Sequence, residues 1–331
     1  MKSILKLPII LWCFVTLVVY GSVWVSPEFF KYSGLVSLGI PFILIFNLLF
    51  FIFLLLSKSK RAILPAVLLL IGFPFIKSTF SLSRTTEAPS SFHVMNYNMM
   101  RMNKGNEKDM LKWIVSNTSD IKCFQEFLGS KSVIKAISEN GKYNSFVGGY
   151  ANSYAIFSKY PMVNKGVFYE EKTTNNILFA DLKIGKDTLR VYNVHLQSMN
   201  INVDQEVIDQ KEFDKKYETV RRKFLTGSVQ RTAQIKDLLE HANDCNYPIL
   251  IIGDFNDIPY SYNYFKISRK FNNAFERAGR GFGFTYNGKL PFLRIDNQFY
   301  NNQLDALDFS TLNNIDYSDH FPVVGIYSIS H

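Results

Sequence analysis

The sequence predicts a mixed α/β (α+β) domain in which two β-sheets pack face to face with helices outside, preceded by transmembrane helices. Two observations predict this architecture. The first 80 residues contain three long apolar stretches, and from residue 92 onward strand-like and helix-like patterns alternate. Such alternation is compatible with only a small set of layered folds. The chain of 331 residues has room for one domain of about 240 residues after the apolar part.

Residues 1–80 are predicted to form a membrane anchor with about three transmembrane helices. These helices are expected at about residues 7–26, 34–56 and 62–80. The first two stretches contain no charged residue and exceed the roughly 18 apolar residues that a spanning helix needs. The third contains Pro65, Pro74 and Lys77 and is long enough only if it reaches Phe80. A cleavable signal peptide at residues 1–26 is the alternative, but no small-residue cleavage site follows it.

The formal net charge of +9 is concentrated in the anchor. Residues 1–84 contain eight basic residues and one acidic residue, so the rest of the chain has a net charge of only +2. Basic side chains precede the first stretch and separate the second from the third, at Lys2, Lys6, Lys58, Lys60 and Arg61. The positive-inside rule therefore predicts a multi-pass protein whose large domain lies on the extracytoplasmic (periplasmic) side. Lys77 and Arg84 count against this orientation.

Residues 81–91 are polar and are predicted to link the anchor to a domain at residues 92–331. Hydrophobic periodicity predicts the elements of that domain. The predicted strands are 92–98, 120–126, 145–147, 153–158, 177–184, 188–196, the apolar run after Pro248, 282–286, 294–300 and 322–328. The predicted helices are 106–118, 131–139 and 229–243. The highly charged residues 199–228 could be a helical excursion or a mobile loop over the site, but a solvated face is the more common origin of such a charge run.

Short polar motifs along the domain provide the candidate functional residues, and most of them end a strand-like run. They contain Asn98, Glu126, His195, Asp254 with Asn256, Asp296, and Asp319 with His320. The carboxyl ends of strands are where an open α/β sheet presents its ligand groups. Acidic oxygens for a hard divalent cation, amides and two histidines are the groups needed to hydrolyse a phosphate ester.

The motif GDFND is the most specific of these signals. In an extended segment Asp254 and Asn256 project to the same side. The carboxylate can accept a proton from water, and the neutral amide beside it can hold that water or a phosphate oxygen. The alternative is a surface Asx turn, although such turns rarely follow an apolar run like ILII directly.

Glu126 is the first candidate for binding a cation. Mg²⁺ prefers carboxylate oxygens and completes its coordination with water and substrate phosphate. Taken alone, a Glu after a strand is more often a solvated end residue. Asn98 could hold Glu126 in place or could cap a turn.

The two histidines have different predicted surroundings. Asp319 and His320 are adjacent and point to opposite sides of an extended segment, so one can face a cation and the other a phosphate. Asp296 could orient His320 through its second ring nitrogen. His195 could donate to the phosphate, although a lone His in a strand is more often a core residue.

The ordered motifs N…QE…HL…GDFN…RID…SDH resemble the endonuclease/exonuclease/phosphatase superfamily over about residues 90–328. The resemblance implies a four-layer α/β sandwich and a Mg²⁺-dependent phosphoesterase in which Mn²⁺ can substitute. It also implies site roles. The metal positions are Asn98, Glu126 and Asp319; the catalytic positions are Asp254, Asn256, His195, Asp296 and His320. One departure is Asn297, because an aromatic residue usually follows the RID motif.

The sequence therefore predicts a membrane-anchored phosphodiesterase or phosphatase in which activated water attacks phosphorus in line. Tethering at the bilayer favours a phospholipid head group as substrate. One alternative is an extracytoplasmic DNA or RNA nuclease, which the nearly neutral domain does not favour. The other is a non-catalytic membrane receptor or scaffold on the same fold.

Overall fold

The computed structural model describes residues 6–330 except 84, 87, 89, 103–104, 142, 171–172, 174, 200–209 and 289–291. Its strands are β1 Ser81–Leu82, β2 Ser91–Asn98, β3 Ile121–Gln125, β4 Asn144–Gly148, β5 Tyr154–Ser158, β6 Met162–Val167, β7 Asn176–Ile184, β8 Asp187–His195, β9 Ile249–Asp254, β10 Asn272–Asn273, β11 Arg280–Gly281, β12 Asp296–Tyr300, β13 Leu304–Thr311 and β14 Val323–Ile329. Its α-helices are α1 Lys6–Gly21, α2 Ser33–Ser37, α3 Ile40–Leu56, α4 Ile63–Ile71, α5 Phe73–Thr79, α6 Glu107–Ser116, α7 Lys131–Gly141, α8 Gln210–Asn243, α9 Tyr262–Ser268 and α10 Ala274–Ala278. Short 3₁₀ turns lie at Ser22–Trp24, Lys60–Ala62, Met100–Met102 and Tyr150–Asn152.

Two mixed six-stranded sheets form the centre of the domain. One has the strand order β13-β14-β2-β3-β5-β4 and the other β10-β12-β9-β8-β7-β6. Apolar side chains from both sheets form the core between them. Separate apolar clusters join α6 and α7 to the outer side of the first sheet, and α8 and α9 to the outer side of the second. This arrangement confirms the predicted layers of helix, sheet, sheet and helix.

The amino-terminal part is helical and apolar, as predicted. Two described stretches, Leu7–Trp24 and Ser33–Leu56, are long and apolar enough to cross a membrane. The third consists of Lys60–Ile71 and Phe73–Thr79, which are bent by 56° at their junction. This bent pair is either one broken span or a re-entrant loop. Pro74 lies in the first turn of α5, where the proline ring and its missing N–H interrupt the preceding helix.

The apolar amino-terminal helices pack directly against the domain. Tyr20, Val23, Ile40, Ile43 and Phe75 form one apolar cluster with Tyr260 of the domain. The end of α5 is also hydrogen-bonded to the loop that follows β9. The Ser78 hydroxyl donates to the Pro259 carbonyl (3.2 Å), and the Thr79 and Tyr260 hydroxyls are 2.6 Å apart. The loop after the GDFND motif therefore rests on the apolar helices.

Several predicted elements differ from the observed ones. The predicted helix 229–243 is the second half of the 34-residue helix α8. The first half was not predicted as a helix because its sequence is highly charged. Residues 200–209, which belong to the same predicted segment, lie outside the described residues. Strand β13 was missed because its polar residues hid the alternation, and β6 was missed after the Tyr160-Pro161 stop. The predicted strand 282–286 contains only a single bridge, from Tyr286 to His320.

A buried lysine in the first sheet gives a pH-dependent stability. Lys122 of β3 is fully buried, and its ammonium donates to the Ile114 carbonyl (2.8 Å). Burial, assisted by Lys159, lowers the pKa of Lys122 to about 8 from 10.5. Between these pH values the unfolded chain binds more protons than the folded one, so the free energy of unfolding rises with pH. We expect Lys122→Met to remove this rise.

The measurement is the thermal unfolding temperature of the full chain in detergent between pH 7 and pH 10. Lys108→Met, at an exposed position of α6, is the matched control and should keep the pH dependence of the wild type. Identical pH slopes for wild type and Lys122→Met would contradict the prediction.

Candidate active site

Strand pairing brings the predicted site residues to one edge of the two sheets. β8 and β9 run parallel and place His195 opposite Asp254, while β12 runs antiparallel to β9 and places Asp296 opposite Asp254. In the other sheet the parallel strands β2 and β3 end together at Asn98 and Gln125. Glu126 follows directly. The motifs meet because they occupy the ends of neighbouring strands.

Unusual backbone conformations shape this edge. Gly253 has a φ of 132°, and a Cβ there would lie 2.1 Å from the Val194 carbonyl oxygen, so only glycine fits between β8 and β9. Glu126 and Asn256 adopt left-handed conformations with φ of 48° and 49°. Residues in this region cluster at functional sites, where the surrounding structure compensates the strain.

Asp254 lies at the centre of the site, in contact with the other polar groups. Its Oδ2 accepts hydrogen bonds from the side-chain amides of Asn98 (3.0 Å) and Asn256 (3.2 Å). The same oxygen lies 3.5 Å from Nε2 of His195 and 3.7 Å from Nε2 of His320. Its Oδ1 accepts the Asn256 backbone N–H at 2.8 Å. An Asx turn is thus present, as the alternative interpretation held, but it is buried within the cluster.

His320 is held by Asp296, as predicted. Its Nδ1 is 2.8 Å from Oδ2 of Asp296, and Tyr286 packs edge-on against the imidazole with ring centroids 5.4 Å apart. Burial lowers the pKa of His320, but the carboxylates of Asp296 and Asp254 outweigh it and raise that pKa to about 10. The imidazole is therefore cationic at neutral pH, with Nε2 available as a donor toward the site.

Glu126 occupies the open side of the cluster. Its side chain is 32% exposed, and its Oε1 lies 3.9 Å from Nε2 of His195 and 3.5 Å from Nδ2 of Asn98. The Asn98 oxygen accepts the Met100 N–H (3.1 Å), so the amide NH₂ group faces both carboxylates. Asn98 therefore orients Glu126 and Asp254, and it would turn its oxygen inward only by reorienting the amide.

Asp319 is half-buried beside this group, while His320 is buried, as expected for opposite sides of an extended segment. The Ser318 hydroxyl lies 2.8 Å from the Asn98 carbonyl oxygen and 3.2 Å from Oδ1 of Asp319. This contact ties the SDH loop to the end of β2. Asp319 thus lies next to the Asn98 end of the cluster.

The donor set fits a hard divalent cation. Among the described residues, Asp254, Asp296 and His320 form a group whose ligand atoms all lie within 4.8 Å of one another. However, one oxygen of Asp296 and Nδ1 of His320 are already paired with each other at 2.8 Å, which leaves only Nε2 of His320 for a cation. The Glu126 carboxylate is partly exposed and near Asn98, which makes this side the better place for a cation that prefers oxygen ligands.

Sequence reasoning missed four polar residues that position the site. The Gln125 side chain donates to Oδ1 of Asn193 (2.6 Å), which joins the two sheets beneath the site. The Thr285 hydroxyl accepts the Asp296 backbone N–H (3.0 Å). Arg231 of α8 donates to the Gln197 carbonyl (2.9 Å), two residues after His195. The sequence could have identified Gln125 and Asn193 by their position, because each precedes a site residue by one or two positions.

Comparisons with known proteins agree with this geometry. Residues 95–320 match the Endonuclease/Exonuclease/phosphatase family, and residues 2–79 match a domain of unknown function (DUF8431). No curated protein matches the chain significantly.

Several solved structures share the fold at low sequence identity. A humanized D. rerio TDP2 is 14% identical with a TM-score of 0.54, over 72% of this chain and 99% of that one. The human Nocturnin catalytic domain, with a bound sulfate anion, is 15% identical with a TM-score of 0.53, over 75% and 98%. An endonuclease/exonuclease/phosphatase from Bacteroides vulgatus is 15% identical with a TM-score of 0.50, over 72% and 99%. The family match spans more than half of the chain and includes every predicted site residue, and the chain therefore belongs to the endonuclease/exonuclease/phosphatase family, whose members hydrolyse phosphoester bonds.

Proposed function

We propose that this chain is a membrane-anchored, divalent-cation-dependent phosphoesterase that acts as a phosphodiesterase or phosphatase on a phosphoester at the bilayer surface. The observation that carries the proposal is the convergence of two amides and two imidazoles on Oδ2 of Asp254, with Glu126 on the open side. Acid, base and anion-binding groups for phosphoryl hydrolysis are then within one cluster.

Asp254 is the proposed base, which accepts a proton from the attacking water and holds it in line with phosphorus. Asn256 and His195 would contact the phosphate oxygens as their charge builds. His320, kept cationic by Asp296, would donate from Nε2 to a phosphate oxygen. Fixed donors of this kind stabilise developing charge because they do not need to reorganise during the reaction.

Glu126, Asn98 and Asp319 would hold Mg²⁺, with Mn²⁺ as a substitute. A bound divalent cation supplies Lewis-acid stabilisation of negative charge on the phosphate. Asn98 would bind the cation only after its amide reorients, because its oxygen accepts the Met100 N–H. Ser318 holds Asp319 beside the end of β2.

The contacts of the anchor support the predicted membrane location. Trp24, at the end of the first apolar stretch, packs against Phe265 of α9, and Thr79, at the end of the third, contacts Tyr260. Arg221 of α8 reaches the Tyr32 hydroxyl between the first and second stretches (3.4 Å). These contacts put the domain beside Trp24, Tyr32 and Thr79, which three crossings would bring to one side of the bilayer. The basic residues between the second and third stretches favour the extracytoplasmic side for the domain. The loop after Asp254 then faces the bilayer surface.

Cation dependence is the direct test. We expect EDTA to abolish hydrolysis and Mg²⁺ to restore it, because the cluster places carboxylates beside a phosphate site. Glu126→Gln should raise the Mg²⁺ concentration for half-maximal activity by about tenfold or more. Glu240→Gln, at an exposed position of α8, is the matched control. Full activity in EDTA, or an unchanged Mg²⁺ requirement in Glu126→Gln, would contradict the proposal.

A substrate panel distinguishes the competing functions. Purified full-length protein is assayed with phospholipid vesicles, a soluble phosphodiester, a phosphomonoester and single-stranded DNA. Hydrolysis of DNA in preference to every other substrate would favour the nuclease, and the absence of hydrolysis throughout the panel would favour the scaffold.

A further inference from the structure

We propose that an aromatic groove beside His320 binds the hydrocarbon part of a membrane lipid, so that the substrate is an amphiphilic phosphoester taken from the bilayer. This inference rests on the proposed function and names the substrate class of the same site. Four observations carry it: an exposed cluster of phenylalanines, its position at the end of the anchor, its continuity with the wall of the active site, and the scarcity of charge in the groove.

The phenylalanine cluster consists of Phe80, Phe282, Phe284 and Phe292. Phe80 contacts Phe282 edge-on, Phe282 stacks on Phe284 with ring planes 9° apart, and Phe284 contacts Phe292 edge-on. The centroid distances are 5.1, 5.3 and 5.5 Å. Phe282 is 50% exposed and Phe292 is 72% exposed. A contiguous apolar patch of this kind marks an interaction surface.

Phe292 also has an unfavourable backbone conformation, with a φ of 75°. A bulky residue in the left-handed region is uncommon, and here it projects a ring that is mostly exposed. Strained backbone conformations of this kind are most common at functional sites. A hydrocarbon partner would cover this ring.

The cluster lies where the third apolar stretch ends. Phe80 follows Thr79, the last residue of α5, and the next two residues form β1, which pairs with β11. This short ribbon attaches the segment carrying Phe282 to the end of the anchor. Leu82 on the ribbon is 82% exposed. Aromatic side chains are favoured at the membrane–water interface, so the cluster is placed to contact the surface of the bilayer.

From the cluster a groove of about 640 Å³ extends to Tyr286, the residue whose ring packs on His320. Its walls include Phe282, Phe284, Phe292, Tyr286 and Phe321. Tyr286 packs on the His320 ring, and Phe321 is the next residue in the chain. A volume of this size is typical of small-molecule sites. One molecule can therefore present a phosphoester to His320 while its apolar chain lies along the phenylalanines.

Charge in the groove favours hydrocarbon over a nucleic-acid strand. Bases also stack on aromatic rings, but a single-stranded nucleic acid requires cationic side chains along its backbone. Arg280 is the one cationic residue among the described groove residues, and it lies 3.8 Å from Asp308 and within hydrogen-bond distance of Thr85. The stacked rings of Phe282 and Phe284 already cover each other. The groove also has polar lining residues, Asn287, Ser310, Thr311 and Asn313, so an apolar chain would lie along its phenylalanine side.

The test uses the full-length protein in detergent or nanodiscs and compares two kinds of substrate. One is bis(p-nitrophenyl) phosphate in solution. The other is vesicles of dioleoylphosphatidylcholine, dioleoylphosphatidylglycerol or sphingomyelin. We expect the double variant Phe282→Ser/Phe292→Ser to lose at least tenfold in kcat/KM on the vesicle lipid while staying within twofold on the soluble diester. Val163→Ser, at a 62% exposed position of β6, should change neither rate.

Three outcomes would overturn the inference. They are a wild type that hydrolyses the soluble diester but no vesicle lipid, a double variant with full activity on vesicles, and a loss that is equal on both substrates. An oligothymidylate is assayed as a third substrate, and a loss confined to its hydrolysis would also overturn the inference and assign the groove to nucleic acid. Failure of the wild type on every phosphoester would instead refute the proposed function, so the two failures are distinguishable.

Discussion

Asp254→Asn is expected to lower kcat by about a thousandfold or more while leaving the chain folded. Loss of a proton acceptor alone typically costs about 10²–10⁴, and here the same carboxylate also orders four donor groups. Asparagine keeps the size of the side chain and one acceptor oxygen, so Asn98 and Asn256 retain a partner. The measurement is kcat on the best substrate of the panel, together with the thermal unfolding temperature.

Asp109→Asn, at an exposed position of α6, is the matched control and should leave kcat unchanged. A folded Asp254→Asn protein with no turnover, beside an active wild type, rules out the scaffold interpretation. If Asp254→Asn keeps more than a tenth of the wild-type rate, Asp254 is not the base.

Asp296→Asn is expected to lower kcat by about 10²–10⁴, the range typical of general acid–base catalysis, because the carboxylate orients and charges His320. Asp296 raises the pKa of His320, whereas burial lowers it. Removing the anion therefore lowers the pKa of the imidazole, which loses its proton at a lower pH. Because the proposed reaction needs protonated His320, kcat of Asp296→Asn should decline at a lower pH than kcat of the wild type.

The measurement is the dependence of kcat on pH from 6 to 10 for both proteins. Asp305→Asn, at an exposed position of β13, should reproduce the wild-type profile. In one contradictory outcome, kcat is lower at every pH but its decline at alkaline pH occurs at the same pH as in the wild type. Asp296 would then act on folding or on substrate binding and not through His320. An alkaline limb that moves upward would contradict the assigned role directly.

Asn297 illustrates what the family pattern alone left open. An aromatic residue was expected there, and its absence raised a question about local packing. In the structure the Asn297 side-chain oxygen accepts from Asn273 (3.2 Å) and from buried Arg294. Arg294 in turn donates to the Ser78 carbonyl at the end of the anchor (2.6 Å). The departure from the family pattern thus belongs to the contact between the apolar amino-terminal helices and the strand that carries Asp296.

The GDFND motif illustrates a correct prediction with a different cause. Extended geometry predicts that Asp254 and Asn256 point to the same side. The two side chains do meet, at 3.2 Å, but Asn256 is left-handed, and a turn brings them together instead of a strand. Period-two reasoning applies only within β9, which ends at Asp254.

The sequence by itself determined the apolar anchor, the α/β class and the identity of the polar residues at the strand ends, because hydrophobic periodicity and short motifs are local properties. The tertiary structure decided that Asp254 lies at the centre of the site and that neighbouring carboxylates raise the pKa of His320. It also decided that α8 is one continuous helix and that the phenylalanines at residues 80, 282, 284 and 292 form one surface. These features depend on contacts between residues far apart in the chain. Burial and the proximity of charges set protonation and partner choice, and neither can be read from spacing along the sequence.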